Sequence, residues 1–399
     1  MPIKYSIVIP TRNRDMYVPY AIKSVLKSTR TDIELIVSDN FSTDNTAKIL
    51  SDFSDPRLRV VRPDAELPMA GHYEFAISKA TGEWITILGD DDAVMPYIFE
   101  SLDKYILKYS DIDIISSARA YYFWSGCEDI YGDLVIAYSS KFKEKIRSTK
   151  HDLYKALLGL RDCFDMPQLY TTGIIKKSLY EEIKLKSSGF FYYSIIPDMY
   201  SAVAICLARN SYLRVEEPLF WTGTSNKSMG ISNRIYLDAK YLTEKLTNNV
   251  SGIPKKIADD ISYYLHSNGF GCLYIYECLL QSPLTNKSFR VSHWLRTLVL
   301  AAVYNQSKKK KIEERSKLIK EISFECKKYK IPELKFKLIS FIFFIISSIY
   351  YFFSVPQKIF KRLGIFGYLK FYSRQRKLFL TILDASTFIS NFRKNFFNI

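Results

Sequence analysis

Histidine is scarce in this chain of 399 residues, which has four, and none stands at zinc-ligand spacing from a cysteine or another histidine. The six cysteines (Cys127, Cys163, Cys206, Cys272, Cys278 and Cys326) include no CxxC pair and read as reduced thiols, which points to a reducing compartment. No GxGxxG follows the first expected strand, so a dinucleotide-dependent oxidoreductase is disfavoured. Internal repeats are also lacking. The opening MPIKYSIVIPTR is unbroken in apolar character only over Ile7–Pro10, too short for the core of a signal peptide. A cytoplasmic N-terminal half is the expectation.

What is present is an ordinary globular composition, 48% hydrophobic and 25% charged, long enough for two or three units. The formal net charge of +16 calls for an anionic partner. Charge alone leaves nucleic acid, a phosphorylated ligand and an acidic membrane face open.

The first hundred residues alternate short β-rich runs with helical stretches. Strands are expected at Tyr5–Ile9, Ile33–Ser38, Leu58–Arg62 and Trp84–Leu88. Val18, Ile22, Val25 and Leu26 share one helical face between the first two strands, and Asp44–Leu50 supplies a second helix. That alternation predicts an α/β fold with a mostly parallel sheet covered by helices.

Polar residues gather after these strands: Thr11, Arg12, Asn13 and Arg14 after the first, Asp39 and Asn40 after the second, and Asp90, Asp91 and Asp92 after the fourth. Ligands of such sheets bind beyond the carboxyl ends of the strands, so one crevice can collect all three groups. Taken singly, each group also reads as a solvated loop or a helix cap, Asp39 and Ser42 especially. Three adjacent carboxylates repel by roughly 4 kcal/mol per close pair at an effective dielectric near 20, and a divalent cation is the obvious group to offset that.

The stretches YSIVIPTRNR (5–14), SVLKS (24–28), ELIVSDNFSTDNT (34–46) and ATGEWITILGDDDAVMP (80–96) resemble, in order and spacing, a family 2 glycosyltransferase of the GT-A fold. The likeness covers about the first 230 residues and is to bacterial cell-surface polysaccharide enzymes. It implies a Rossmann-like nucleotide-sugar-binding domain over residues 1–233. It further implies a nucleotide diphosphate sugar donor, with Pro10, Thr11, Asn13, Asp39, Asp90 and Asp91 on the nucleotide side. The aspartate triplet occupies the DxD position, so the resemblance assigns Asp92 and Asp90 to Mn2+ or Mg2+. A glycine, Gly89, stands where many relatives have a fourth acidic residue.

In SIIPDMYSAVAICLAR the resemblance implies Asp198 as the base of an inverting reaction, although Pro197 replaces the acidic residue that usually precedes it. A carboxylate favoured by a helix dipole is the alternative for Asp198. QLYTTGIIKKSLYEEI (168–183) corresponds to the acceptor side, with Gly173 permitting close backbone approach. PLFWTGTSNKSMG (218–230) corresponds to a loop that in many relatives brings a histidine to the metal. No histidine stands there, and Ser225, Lys227 or Ser228 is left to contact diphosphate. His72 falls near the usual donor-sugar region.

Residues 234–330 read as a helical subdomain ending in the lysine run Lys308–Lys311 and a charged helix or linker. Residues 331–399 read as a basic, apolar, membrane-associating tail. Its uncharged run LISFIFFIISSIYYFFSVPQ has serines seven apart, at Ser340, Ser347 and Ser354, and leaves three forms open: a spanning helix, a helix in the headgroup plane, and a buried soluble helix. The sequence therefore leads to a transferase on the cytoplasmic face of the cell membrane, peripheral or single-span. Together with the tail, the resemblance implies an acceptor saccharide carried on a polyprenyl diphosphate, and an anionic membrane surface is the expected partner. Nucleic acid is not expected, since the basic residues concentrate toward the carboxyl end and away from the crevice. The alternative is a non-catalytic binding module with a degenerate transferase fold.

Overall fold

Tyr5–Thr11 is buried along its whole length and forms β1, as strands covered on both faces do. It is followed by α1 (Val18–Leu26), β2 (Ile33–Asp39), α2 (Thr46–Ser51), β3 (Leu58–Val61), α3 (Met69–Ile77) and β4 (Trp84–Ile87). β1 lies parallel to both β2 and β4, and β2 parallel to β3. The four expected strands and two expected helices are thus present, with boundaries shifted by one or two residues. These positions come from a computed structural model that describes residues 2–140, 143–194, 196–228, 271–285, 293–362 and 369–397.

The chain continues through β5 (Ala93–Val94), α4 (Ile98–Lys108), β6 (Ile114–Phe123), α5 (Glu128–Tyr131), β7 (Ile136–Ser140), β8 (Glu144–Ser148), α6 (Thr149–Leu157), β9 (Gly173–Lys176), α7 (Lys177–Lys186), α8 (Pro197–Ala208) and β10 (Ser211–Thr224). β9 is wedged antiparallel between β4 and β6, while β10 runs parallel to β6 and antiparallel to β5 and β8. The sheet is therefore parallel in its β3-β2-β1-β4 half and mixed beyond it. Gly173 lets β9 enter: a Cβ there would stand 1.9 Å from the Gln168 carbonyl oxygen.

Alternate residues of β1 and β2 enter two cores, one on each face of the sheet. Val8 and Ile36 join a cluster with α3, α6 and α8, whereas Tyr5, Ile7, Ile9, Leu35 and Val37 join one with α1 and α4. The first cluster extends into a helical region of α9 (Gly271–Gln281), α10 (His293–Ser307) and α11 (Ile312–Lys328). The part of the expected subdomain between 234 and 270 lies outside the described residues.

Residues beyond 331 divide into two parts that behave differently. α12 (Glu333–Arg362) packs Ile339 and Phe343 inward toward α10. β11 (Leu369–Ser373) instead returns to the sheet, antiparallel to β7, and α13 (Ile382–Phe397) follows it. Phe379, Ile382, Ala385 and Ile389 are buried in the α1 and α4 cluster. Two ion pairs fasten this return: Arg393 to Glu217 at 2.5 Å and Arg376 to Glu128 at 2.6 Å. Among the described residues no helix is long and apolar enough to cross a membrane.

Candidate active site

The parallel register sets the site. Thr11 at the end of β1 stands beside Asp39 at the end of β2, and Val8 pairs with Ile87 of β4, after which the chain turns through Asp90, Asp91 and Asp92 into β5. The three polar clusters of the sequence therefore do meet at one edge of the sheet.

Each triplet carboxylate is held differently. Asp92 is buried; its Oδ1 accepts from Gly223 N at 2.6 Å, and its Oδ2 accepts from Gly89 N at 3.1 Å and from the Thr171 hydroxyl. Asp91 is also buried, and its Oδ2 accepts from the hydroxyls of Ser225 at 2.7 Å and Ser228 at 2.6 Å. Its backbone carbonyl accepts from Trp124 Nε1 at 2.9 Å. Asp90 is the most open of the three. Its Oδ2 accepts from Thr11 Oγ1 at 2.9 Å, and its Oδ1 is ion-paired with Arg14 Nε at 3.2 Å.

Desolvation dominates the electrostatics. It pushes the Asp90 carboxyl up to about 6, with Arg14 pulling it back and Asp91 adding to the rise. Burial, then repulsion from Asp91, raises Asp92 well above the ordinary carboxylate range. Such a site is short of positive charge. Among the described residues no group of three or more His, Cys, Asp or Glu side chains is arranged to hold a metal ion alone. The donor set suits a hard cation that takes one or two carboxylates and completes its shell with phosphate oxygens and water.

A loop closes over the triplet from the end of β10. Beyond the Ser225 and Ser228 bonds, Arg14 Nη2 donates to the Lys227 carbonyl at 2.8 Å, and Tyr17 Oη donates to Asn226 Oδ1 at 3.2 Å. The serines expected to meet diphosphate therefore grip Asp91 here. The loop can approach because β10 carries Gly223, where a Cβ would lie 1.6 Å from the Asp91 carbonyl oxygen.

At the end of β2, Asp39 is buried; Oδ1 accepts from Ser42 N at 3.1 Å and Oδ2 is paired with Arg62. Asn13 has φ of 55°, a left-handed conformation that Asn tolerates, and its Oδ1 accepts from Thr43 N at 2.7 Å. Pro10 is buried in β1 next to Ser38 of β2. Arg12 reaches away, to Glu66. His72 is buried behind the site, its Nε2 2.8 Å from Ser38 Oγ, and burial lowers its pKa to about 4.

Asp198 stands in the first turn of α8, and its Oδ1 accepts from Met199 N at 2.8 Å. Burial raises its carboxyl, against a lowering by the Met199 bond and the Arg119 charge. The rings of Tyr73 and Tyr170 are stacked, 6.2 Å between centroids, and the charges of Asp198 and of the triplet add to the rise that burial gives both hydroxyls. Sequence reasoning missed these tyrosines, Thr171 and Arg62. YTTG in the segment quoted as acceptor side was the available signal for two of them.

Residues 6–164 match the profile of glycosyl transferase family 2. Among proteins of known name, the chain is similar to the glycosyltransferase GlyG of Streptococcus pneumoniae, 34% identical over 112 residues that make up 28% of this chain and 37% of the relative. It is also similar to the UDP-Glc:alpha-D-GlcNAc-diphosphoundecaprenol beta-1,3-glucosyltransferase WfgD of Escherichia coli, 31% identical over 118 residues, 28% of this chain and 47% of the relative. The chain thus spans less than half the length of these two relatives. Among solved structures, residues 1–349 of S. aureus TarS in complex with UDP align with a TM-score of 0.45 and 15% identity over 82% of this chain and 89% of that one.

Proposed function

We propose that the protein is an inverting glycosyltransferase that moves a sugar from a nucleotide diphosphate sugar to a hydroxyl of a saccharide carried on a polyprenyl diphosphate, in cell-surface polysaccharide synthesis. The carrying observation is the meeting of Asp90, Asp91 and Asp92 with Thr11, Arg14 and Asp39 at one sheet edge. The family match supports the donor chemistry. The name of the Escherichia coli relative, with its UDP-Glc and diphosphoundecaprenol, supports the substrate classes.

In this reading Asp198 takes the acceptor proton. Its Oδ1 is engaged by Met199 N, and its Oδ2, which has no hydrogen-bond partner among the described residues, receives the hydroxyl. The raised pKa strengthens it as a base once ionised. The oxygen then attacks the anomeric carbon opposite the departing nucleotide diphosphate, so configuration inverts and no sugar is bound covalently to the protein. Mn2+ or Mg2+, when bound, supplies positive charge to the departing diphosphate. Asp90 and Asp92 are the residues that would hold it, Asp90 first, because it is the most open of the three carboxylates. Pro10, Thr11, Asn13 and Asp39 line the nucleoside side, and Arg14 holds Asp90 in place until the donor enters.

A thermal shift series with UDP, GDP and dTDP, each with and without Mn2+, tests the donor half on wild type and Asp90→Asn. A ligand at 100 times its dissociation constant adds about 2.7 kcal/mol. Metal-dependent stabilisation by one nucleotide, lost in Asp90→Asn, is the expected result. Asp198→Asn should keep that stabilisation and lose turnover. Retained turnover removes Asp198 from the chemistry, and stabilisation without turnover in wild type leaves a binding module.

A further inference from the structure

α12 is apolar on both sides, and among the described residues only one side is packed against the protein. Inward, Ile339 and Phe343 are buried and the Ser340 carbonyl accepts from Asn305 Nδ2 of α10 at 3.1 Å. Outward, Leu334, Leu338, Phe341, Ile342, Ile345 and Ile349 are each 41–81% exposed. Their spacing of three, four and seven puts them in one stripe along the helix. A contiguous apolar row of this length on a surface marks an interaction site.

Its borders are basic. Lys335 follows the row on one side and stands 5.8 Å from the ring of Trp294, itself 53% exposed at the start of α10. At the other border Lys308 lies 4.2 Å from the ring of Phe344, which is itself exposed, and the exposed Lys309 and Lys311 belong to the same lysine run. Two copies docked through this face would bring like-charged lysine borders together. A surface that is apolar beneath and anionic above matches both properties at once.

We propose that the outward face of α12, with Trp294 and the lysine run 308–311, is an interfacial docking surface for a bilayer carrying anionic phospholipids. The helix lies in the headgroup plane with its outward row in the acyl boundary, while its inward row stays on α10. This places membrane binding on α12 and the helical region. β11 and α13, which the sequence grouped with it, are committed to the sheet and its core.

The test uses the full chain with vesicles and neither donor nor acceptor, so its outcome is independent of the transferase reading. Co-sedimentation is measured on phosphatidylcholine vesicles and on vesicles mixed with phosphatidylglycerol. Wild type is expected on the mixed vesicles, with affinity falling as salt rises. F341S/I345S should weaken binding by at least tenfold, the effect of about 1.4 kcal/mol, and K308Q/K309Q/K311Q should remove the preference for anionic lipid. A readout needing no variant is tryptophan emission: Trp84, Trp124 and Trp221 are buried, so a blue shift on adding mixed vesicles reports Trp294. Wild type indifferent to both vesicles overturns the proposal. So does a dimer in sedimentation equilibrium that F341S/I345S dissolves while no vesicle binds.

Discussion

His72 shows how a residue read as a donor-sugar candidate takes its place behind the site instead. It is buried against Ser38 with its pKa lowered from 6.5 to about 4. The folded state therefore resists a proton that the unfolded chain accepts, and His72 costs stability as pH falls from 6.5 to 4, by about 3 kcal/mol in full. Asp90, raised to about 6, acts in the opposite sense over much of that window, so the wild-type profile alone does not isolate His72. Thermal melts of His72→Gln against wild type should isolate it: the variant's relative stability should rise as pH drops from 7 to 4. Gly223→Ala should lose several kcal/mol and the donor response together, because the added methyl meets the Asp91 carbonyl at 1.6 Å; a melt and the nucleotide shift check both. The aspartates were legible because their order after strands was legible. Their partners were not, since Gly223, Ser225 and Ser228 lie more than a hundred residues away and the pairing of β10 with β5 and β6 brings them in.

At the scale of elements, the parallel half of the sheet was readable because each of its strands is a local apolar run followed by a helix. α8 was readable too, from Pro197 and Asp198 at its start and Ala202, Ile205 and Cys206 on a buried face. β11 and α13 were not. LKFYS and the residues after it interleave lysine, arginine and aromatics, a pattern shared by a lipid-facing segment and by an edge strand with its basic side out. Burial of the Arg393 and Glu217 pair decides between them, and Tyr105 Oη adds a bond to the same carboxylate at 3.1 Å. Arg393→Ala strands Glu217 and should destabilise by about 3 kcal/mol, measured by urea unfolding. Removing 331–399 as a block would therefore unsettle the sheet as well as any lipid contact, and point changes on the outward side of α12 are the cleaner probe.

Seen whole, the molecule separates its tasks: acidic residues converge at one sheet edge, while the excess of positive charge includes the lysine run beside α12. Deleting residues 369–397 should remove Phe379, Ile382 and Ile389 from the core and uncover β7. That loss is comparable with the 5–15 kcal/mol that holds a domain folded, and the truncated chain should be found in the insoluble fraction on expression. The same arrangement has a consequence in time. Tyr122 Oη donates to the Phe379 carbonyl across 257 residues, and β7 waits for β11 over a similar stretch of synthesis. At ordinary ribosomal speed the gap lasts roughly 10–50 s. During it β1 to β4 can be complete while one sheet edge and one core face remain open, so a nascent chain of this protein is expected to need a chaperone's shelter until β11 leaves the ribosome.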